Sequence, residues 1–577
     1  MSLGLFAVVA VVLLTTAYFT YGRFLARQYA LDDARITPAT ARQDGLDFVP
    51  ARPFYLLGQH FSAIAAAGPI VGPIAAGVVF GWLPCLLWIL IGVVFIGAVH
   101  DFSALVASVR HGATSVAEIA RIHLGRRAFL TLVAFIWVAL VYVIVAFTDV
   151  TASTFLGKTE ELEGLSAGFN PGGAVAMASA LYLSLALLMG VVERVVPERL
   201  RPMWLMTLLF VPATLVAVWF GTQVSTVLVF EARAWHVAIL VYCFLASLLP
   251  LWLLQQPRGY LGGFILYLSI GIGIAGVLLG GFTIQMPMLA PAATAGGLGA
   301  VLMGSPAAPP LSSLIFPFLF VTIACGACSG FHGLVCGGTT SKQIAKESHC
   351  HPVGYGAMLL EGLVAVIALA TVMIVAPGAE AARPPGVIYG EGLARFLTVL
   401  IGPEMLLFAR TFGTMAVATF VFDTLDVSTR LGRYLLQELT GLQSRLAGAA
   451  AAALTAGVPL LVLLSSEPGS WRQFWTLFGT ANQLLAALTL LAVSVWLHRE
   501  GRRTWYVVGP MVAVMTVTLS AVSLQALAGL RVILKGGLQF TPAVINGLVA
   551  IVLLGLALSF IVEAARGWSR PQTLNIS

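Results

Sequence analysis

Fifteen apolar runs of about 20 residues follow one another along the chain, near 3–21, 58–80, 84–108, 128–150, 173–192, 202–221, 235–254, 261–283, 311–336, 353–376, 404–424, 446–466, 473–497, 504–529 and 543–563. A membrane-spanning α-helix needs about 20 consecutive apolar residues. The pattern therefore predicts an all-α polytopic membrane protein with about 15 transmembrane helices, and a half-span at 393–402 leaves the count open by one. Only 10% of the 577 residues are charged, against about 25% in a soluble domain. Such a chain cannot cover a water-facing surface, which excludes soluble enzymes, secreted disulfide scaffolds and nucleic-acid-binding proteins. The lipid bilayer is its first partner.

The net charge is +7, and its distribution carries topological information. With the N-terminus outside, the inside loops hold 23 of the 31 Lys and Arg residues and the outside loops six, with Arg395 and Arg410 at membrane depth. Basic residues concentrate in cytoplasmic loops, so the bias predicts the N-terminus outside and the C-terminus inside. The first run, 3–21, lacks a basic leading segment and a small-residue cleavage site, and is expected to be a retained helix. The six cysteines lie in or beside apolar runs and are expected to be reduced thiols.

The run 58–80 reads GQHFSAIAAAGPIVGPIAAGVVF. Gly68-Pro69 and Gly72-Pro73 interrupt it near its middle, where proline removes a backbone donor. Backbone freed at membrane depth must line a cavity or bind something. Five crossings later, and running the other way, 235–254 carries Pro250. That spacing predicts a LeuT-type 5+5 inverted repeat. Its halves would be 58–221 and 235–424, with 1–57 as an N-terminal helix and loop and 425–577 as additional C-terminal helices. The interrupted run 311–336 is then the eighth core helix, facing the first broken one.

Long stretches of the chain resemble the carbon starvation protein A family of bacterial inner-membrane transporters. They are FYLLGQHFSAIAAAGPIVGPIAA (54–76), FIGAVHDFSALVASVRHG (95–112), FPFLFVTIACGACSGFHGLVCGGTTSKQIAKE (316–347), PVGYGAMLLEGLVAVIAL (352–369), TLDVSTRLGRYLLQEL (424–439) and LFGTANQLLAALTL (477–490). The resemblance covers roughly residues 50 to 490. It implies uptake of pyruvate or of peptides when preferred carbon runs out, a place in the bacterial inner membrane, and kinship with the amino acid–polyamine–cation superfamily.

An ionisable residue inside a span is costly and marks function by default. Gln59, His60 and Ser62 precede the first break, and with the backbone at Gly68 and Gly72 they form a candidate carboxylate site, since half-helix N-termini present unpaired N–H groups. His100 and Asp101 lie about 13 Å inside the span from Arg110 at 1.5 Å per residue. Neighbours on a helix point about 100° apart, so the two are not expected to pair. They are either proton carriers, as histidine titrates near neutral pH, or a structural pair. Ser329 and His332, three apart on the run 311–336, share a face and are candidates for sodium and proton coupling respectively. Arg410 has no charged neighbour at i±4 and suits bidentate carboxylate binding; Glu361, Asp149 or the substrate are possible partners. Asp423, Asp426, Arg430 and Arg433 have helix-face spacing, which fits an ion-pair network or a gate. Asn482 and Gln483 fit helix–helix hydrogen bonds.

Cys325, Cys328, His332 and Cys336 have metal-ligand chemistry, but they extend over about 16 Å of helix, so no metal is expected. Gly271, Gly273 and Gly276 match a dinucleotide fingerprint without a preceding strand, and no cofactor is expected. A membrane enzyme would need a clustered reactive site. A receptor would need a soluble domain, and no stretch outside the runs exceeds about 36 residues. The sequence thus predicts a secondary transporter, not an enzyme, that takes up a small carboxylate such as pyruvate by proton symport; a di- or tripeptide substrate and sodium coupling are the alternatives. An oligomer is compatible with it.

Overall fold

The computed structural model describes residues 2–44, 48–65, 67–156, 168–291, 293, 297–303, 305, 309–442, 444–539 and 541–569. Residues 157–167 and 570–577 fall outside the described residues. Among the described residues the chain is all-helical, with one isolated bridge between Ala51 and Ile344.

Most of the apolar runs become helices, and 58–80 and 311–336 are broken. In chain order they are α1 Leu3–Tyr29, the bent pair α2 Pro53–Ile64 and α3 Gly68–Phe80, α4 Trp82–Arg110, α5 Arg126–Thr154, α6 Pro171–Val195, α7 Met203–Gln223, α8 Ala232–Leu248 and α9 Gln255–Leu279. After these come the short α10 Gly330–Val335, α11 Glu347–Met373 and α12 Pro385–Ile401. The last five are α13 Pro403–Thr440, α14 Arg445–Leu464, α15 Trp471–Arg499, α16 Trp505–Gly536 and α17 Pro542–Trp568. Twelve of them are long and apolar enough to cross a membrane, thirteen with the bent pair. The run 393–402 belongs to α12, which folds back on α13 with Gly390 against Thr414 and Gly386 against Val417.

The bend between α2 and α3 is 48°. Ala65 leaves the helical region, and Pro69 and Pro73 cannot donate to the preceding turn. A second interruption lies at 323–329, between the helical turns ending at Thr322 and α10. The other expected break is not there. Pro250 lies in the turn between α8 and α9, where it ends a helix instead of splitting one. The partner of the first broken helix is therefore the segment around 323–329, and 235–254 is not a broken span.

α4 and α11 pack antiparallel beside the two broken segments, Gly354 against Phe102 and Gly362 against Val93. The peripheral helices α1, α7, α14 and α17 are mostly exposed, while 94% of the most apolar stretch of α15 is buried. A helix expected to lie outside the core, in 425–577, thus stands at its centre. Its residues Gly479, Asn482 and Gln483 face the second broken segment, not lipid.

Candidate functional site

Unwound backbone inside a membrane protein needs partners for its polar groups. Four side chains supply them at 323–329. The Trp88 indole donates to the Phe320 and Ile323 carbonyls at 3.1 Å each. Gln483 donates to Phe320 O at 3.0 Å and Trp475 to Thr322 O at 3.1 Å. Asn482 accepts from the Phe331 amide at 2.9 Å and donates to the Ser329 hydroxyl at 3.0 Å and to Cys325 Sγ at 3.1 Å. Asn482 and Gln483 thus hold unwound chain. The Ser329 hydroxyl, a candidate for sodium, is engaged by Asn482.

The two broken segments meet face to face. A Cβ on Gly68 would collide with the Cys325 side chain, and one on Gly72 would lie 2.7 Å from the Thr322 carbonyl oxygen. These glycines, expected to offer backbone to a carboxylate, have their Cα faces closed by the opposite segment. They permit the close approach of the two segments. Gln59 is on the exposed face of α2, one residue and about 100° of turn from buried His60.

Beside this crossing lies a fully buried array of ionisable groups. Asp101 on α4 joins His100 through Oδ1 at 2.7 Å and His332 on α10 through Oδ2 at 2.8 Å. The other ring nitrogen of His332 is 3.2 Å from Glu361 Oε2 on α11. All four side chains have zero exposure. The expectation that His100 and Asp101 do not pair is corrected here, since the short Asp101 side chain folds back along the helix and reaches the His100 ring. His60 on α2 closes the group: its Nδ1 is 2.8 Å from Thr340 Oγ1, and its Nε2 faces Cys336 Sγ at 4.0 Å. Cys336 Sγ in turn donates to Asp101 O at 3.5 Å.

The chemistry follows from the His332 ring. With both nitrogens against carboxylates, it either carries two N–H protons or accepts one from a protonated Glu361. Neither His332 Nε2 nor the Glu361 oxygens make a well-aligned hydrogen bond among the described residues, so a proton passing between them requires the ring or the carboxyl group to turn. His100 Nε2 is buried with no hydrogen-bond partner among the described residues, which leaves one further position for a proton.

A second polar network lies on the other side of α2. Arg258 on α9, with zero exposure, donates to Asp423 Oδ1 at 2.9 and 2.6 Å and to Asp426 Oδ2. Tyr242 donates to Asp426 at 2.9 Å, Tyr182 donates to the Arg258 carbonyl at 2.7 Å, and Ser62 is 3.4 Å from Asp423 Oδ2. The clamp ties α2, α6, α8 and α9 to α13. Arg430 is not the partner of these aspartates. It caps the end of α8, donating to the Ala246 and Leu249 carbonyls at 2.7 and 2.8 Å.

Arg410 lies apart from both networks and pairs with Glu391 on α12 at 3.0 Å. Asp149 accepts from His236 at 3.0 Å and from the Trp471 amide at 2.7 Å, so it caps the start of α15.

The family model described as carbon starvation protein CstA matches residues 3–391 and 381–521. The chain belongs to the carbon starvation protein CstA family. It is 32% identical to "Peptide transporter CstA" of Helicobacter pylori strain J99, over 87% of this chain and 79% of that one. It is 31% identical to "Peptide transporter CstA" of Bacillus subtilis, over 97% and 96% of the two chains. It is also 31% identical to "Pyruvate/proton symporter BtsT" of Escherichia coli, over 88% and 80%. Among solved structures, a manganese transporter of Eremococcus coleocola aligns with a TM-score of 0.45 at 13% identity, over 91% of this chain and 99% of that one. The protein is a multi-pass membrane transporter of the CstA family, not an enzyme.

Within this CstA-family chain, two central residues escaped the sequence reading as site residues. Glu361 is a lone carboxylate in the apolar stretch 353–376, a signal that was available. Arg258 stands in a short loop of the sequence and counts there as one more cytoplasmic cation, so its burial had no local signature.

Proposed function

We propose that this transporter takes up a small carboxylate, foremost pyruvate, by proton symport across the bacterial inner membrane as part of the carbon starvation response. The N-terminus is outside and the C-terminus cytoplasmic. The observation that carries the reading is the buried Glu361–His332–Asp101–His100 array against the second unwound segment. It offers a coupling proton a path between two carboxylates and two imidazoles. His60 and Ser62 on α2 stand between this array and the Arg258 clamp, and the substrate carboxylate is assigned beside them. Asp423 and Asp426, held by Arg258, act as the gate, with Arg430 fixing the end of α8. The inverted repeat is retained with its equivalence moved: α2–α3 and α4 correspond to the segment 315–343 and α11. Sodium coupling through Ser329 is the weaker reading, because Asn482 engages that hydroxyl. A peptide substrate is favoured by the names of most of the relatives quoted above.

The test is uptake of labelled pyruvate into proteoliposomes under an inward proton gradient, a sodium gradient or neither. The expected result is accumulation with the proton gradient alone. His332→Gln and Asp101→Asn should abolish accumulation while sparing pyruvate counterflow. Accumulation of trialanine and not pyruvate, or dependence on sodium, would overturn the corresponding part of the reading.

A further inference from the structure

The hairpin of α12 and α13 carries a polar site that neither the array nor the clamp uses. Arg410 and Arg395 share a single carboxylate oxygen, Glu391 Oε1, at 3.0 and 3.6 Å, while Arg383 occupies Oε2 at 2.9 Å. At 3.6 Å Arg395 lies outside hydrogen-bond distance of that oxygen. Arg410 Nε is buried with no hydrogen-bond partner among the described residues. The site is half-buried, with side-chain exposures of 14% for Glu391, 21% for Arg410 and 37% for Arg395, so a small solute can reach it while solvent screening is reduced. Its place on the molecule is also informative. Arg472, at the start of α15, donates to the Ala382 carbonyl at 2.7 Å, and the neighbouring Trp471 amide is capped by Asp149 near the far end of α5 from Arg126 and Arg127. The cluster therefore sits on the side opposite the basic loops, where Lys and Arg are few.

We propose that Arg410 and Arg395 form an entry site that captures the carboxylate of the incoming substrate, loaded by exchange against Glu391. Guanidinium binds carboxylate in a bidentate fork, and Glu391 fills that fork only in part. The internal carboxylate acts as a placeholder that the substrate displaces. The inference rests on the carboxylate-uptake reading but names a separate site, and the chemistry is shared by pyruvate and by the C-terminal carboxylate of a peptide.

The test is equilibrium binding of labelled pyruvate, and separately of labelled trialanine, to the full chain in nanodiscs, with proton-driven uptake of the same probes measured in parallel. Arg410→Gln should weaken binding roughly tenfold, the loss of a charge-assisted hydrogen bond. Arg395→Gln should weaken it less. Glu391→Gln should tighten it, because the competing carboxylate is gone; a merely structural Glu391 would weaken it. Tighter binding in Glu391→Gln with weaker binding in Arg410→Gln supports the site, and whichever probe shows it identifies the carboxylate source. Binding unchanged in Arg410→Gln, weakened in Glu391→Gln, or absent for both probes overturns it. Arg410-dependent binding without proton-driven uptake of either probe would sink the symport reading and leave the entry site standing.

Discussion

Replacing Arg258 by methionine removes the one cation in a buried clamp while keeping most of its volume. Two carboxylates, Asp423 and Asp426, then lose their counter-charge. Breaking a buried ion pair from one side costs about 3–5 kcal/mol, because the remaining charge is stranded. With two aspartates stranded the cost lies at the top of that range, about 5 kcal/mol. It does not double, because Tyr242 still donates to Asp426 and Ser62 still faces Asp423. The decisive comparison is with Arg258→Met/Asp423→Asn/Asp426→Asn, in which nothing charged is left behind. Replacing a whole buried ion network by neutral groups is often close to neutral, so the triple variant should recover most of the loss. The assay is resistance to thermal aggregation of detergent-purified protein, followed by fluorescence-detected gel filtration, with proton-driven uptake alongside. If the triple variant is as unstable as Arg258→Met, the cost comes from lost packing and not from stranded charge, and the clamp argument fails.

Three further expectations follow from the geometry. Gly72→Ala sets a Cβ 2.7 Å from a backbone carbonyl, Thr322 O, that cannot turn away, and should cost about 1–3 kcal/mol by overpacking; Gly271→Ala, in open space, is the control, and equal melting of the two would refute the crossing argument. Asn482→Leu should lower stability by about 1–3 kcal/mol by leaving the Phe331 amide without its acceptor, whereas Ser329→Ala should leave the ion dependence of uptake unchanged; a shift in that dependence would restore Ser329 as an ion ligand. Between α4 and α5, His111 Nε2 and His123 Nε2 are 2.8 Å apart, and His111 Nδ1 donates to the Ala107 carbonyl, so His123 is the donor of the pair. Burial, His111 and Arg499 push His123 down to about 4, and burial, with a smaller contribution from Arg110, lowers His111 against the pull of Ala107 O and Glu500. A histidine pKa lowered in the fold means the unfolded chain binds more protons, so this stabilisation is present above about 6.5 and is lost as pH falls towards 4. His123→Gln should flatten the fall in thermal stability between pH 7 and pH 5; an unchanged slope would refute the assignment.

Most spans were legible in the sequence because lipid demands long apolar runs, although 58–80 became a bent pair and 311–336 short helical pieces around an unwound stretch. The first break was legible for a similar reason: Gly68-Pro69 and Gly72-Pro73 are local signals. Pro250 misled because a proline in an apolar run has the same local appearance whether it splits a helix or ends one. What decides is the chain that follows, and here a new helix starts at Gln255. The array was half legible. His100, Asp101 and His332 stood out as ionisable residues in apolar surroundings, but their convergence on one another and on Glu361 is a long-range fact without local spacing. The clamp was read from α13 alone, and the i+4 rule supplied Arg430 as the partner of Asp426. The real partner comes from α9, which no periodicity within α13 can reveal.

The two networks share one element, α2, and the proposed proton coupling has its shortest route there. His60 and Ser62 are two residues apart on α2, so they project about 200° from one another. His60 faces Thr340 and Cys336 on the array side, and Ser62 faces Asp423 on the clamp side. A twelve-residue half-helix moves as a rigid piece, and α2 ends at the break beside Ala65, so it is free of α3 at that end. A proton entering the array changes the charge beside His60. Any resulting tilt of α2 is carried to Ser62 and hence to the Arg258–Asp423 contact. If α2 is the link, His60→Phe should remove the pH dependence of pyruvate binding, beyond any loss of affinity from the missing imidazole. Binding that keeps its full pH dependence in His60→Phe would place the link in another helix, with α4 and α11 as the remaining candidates.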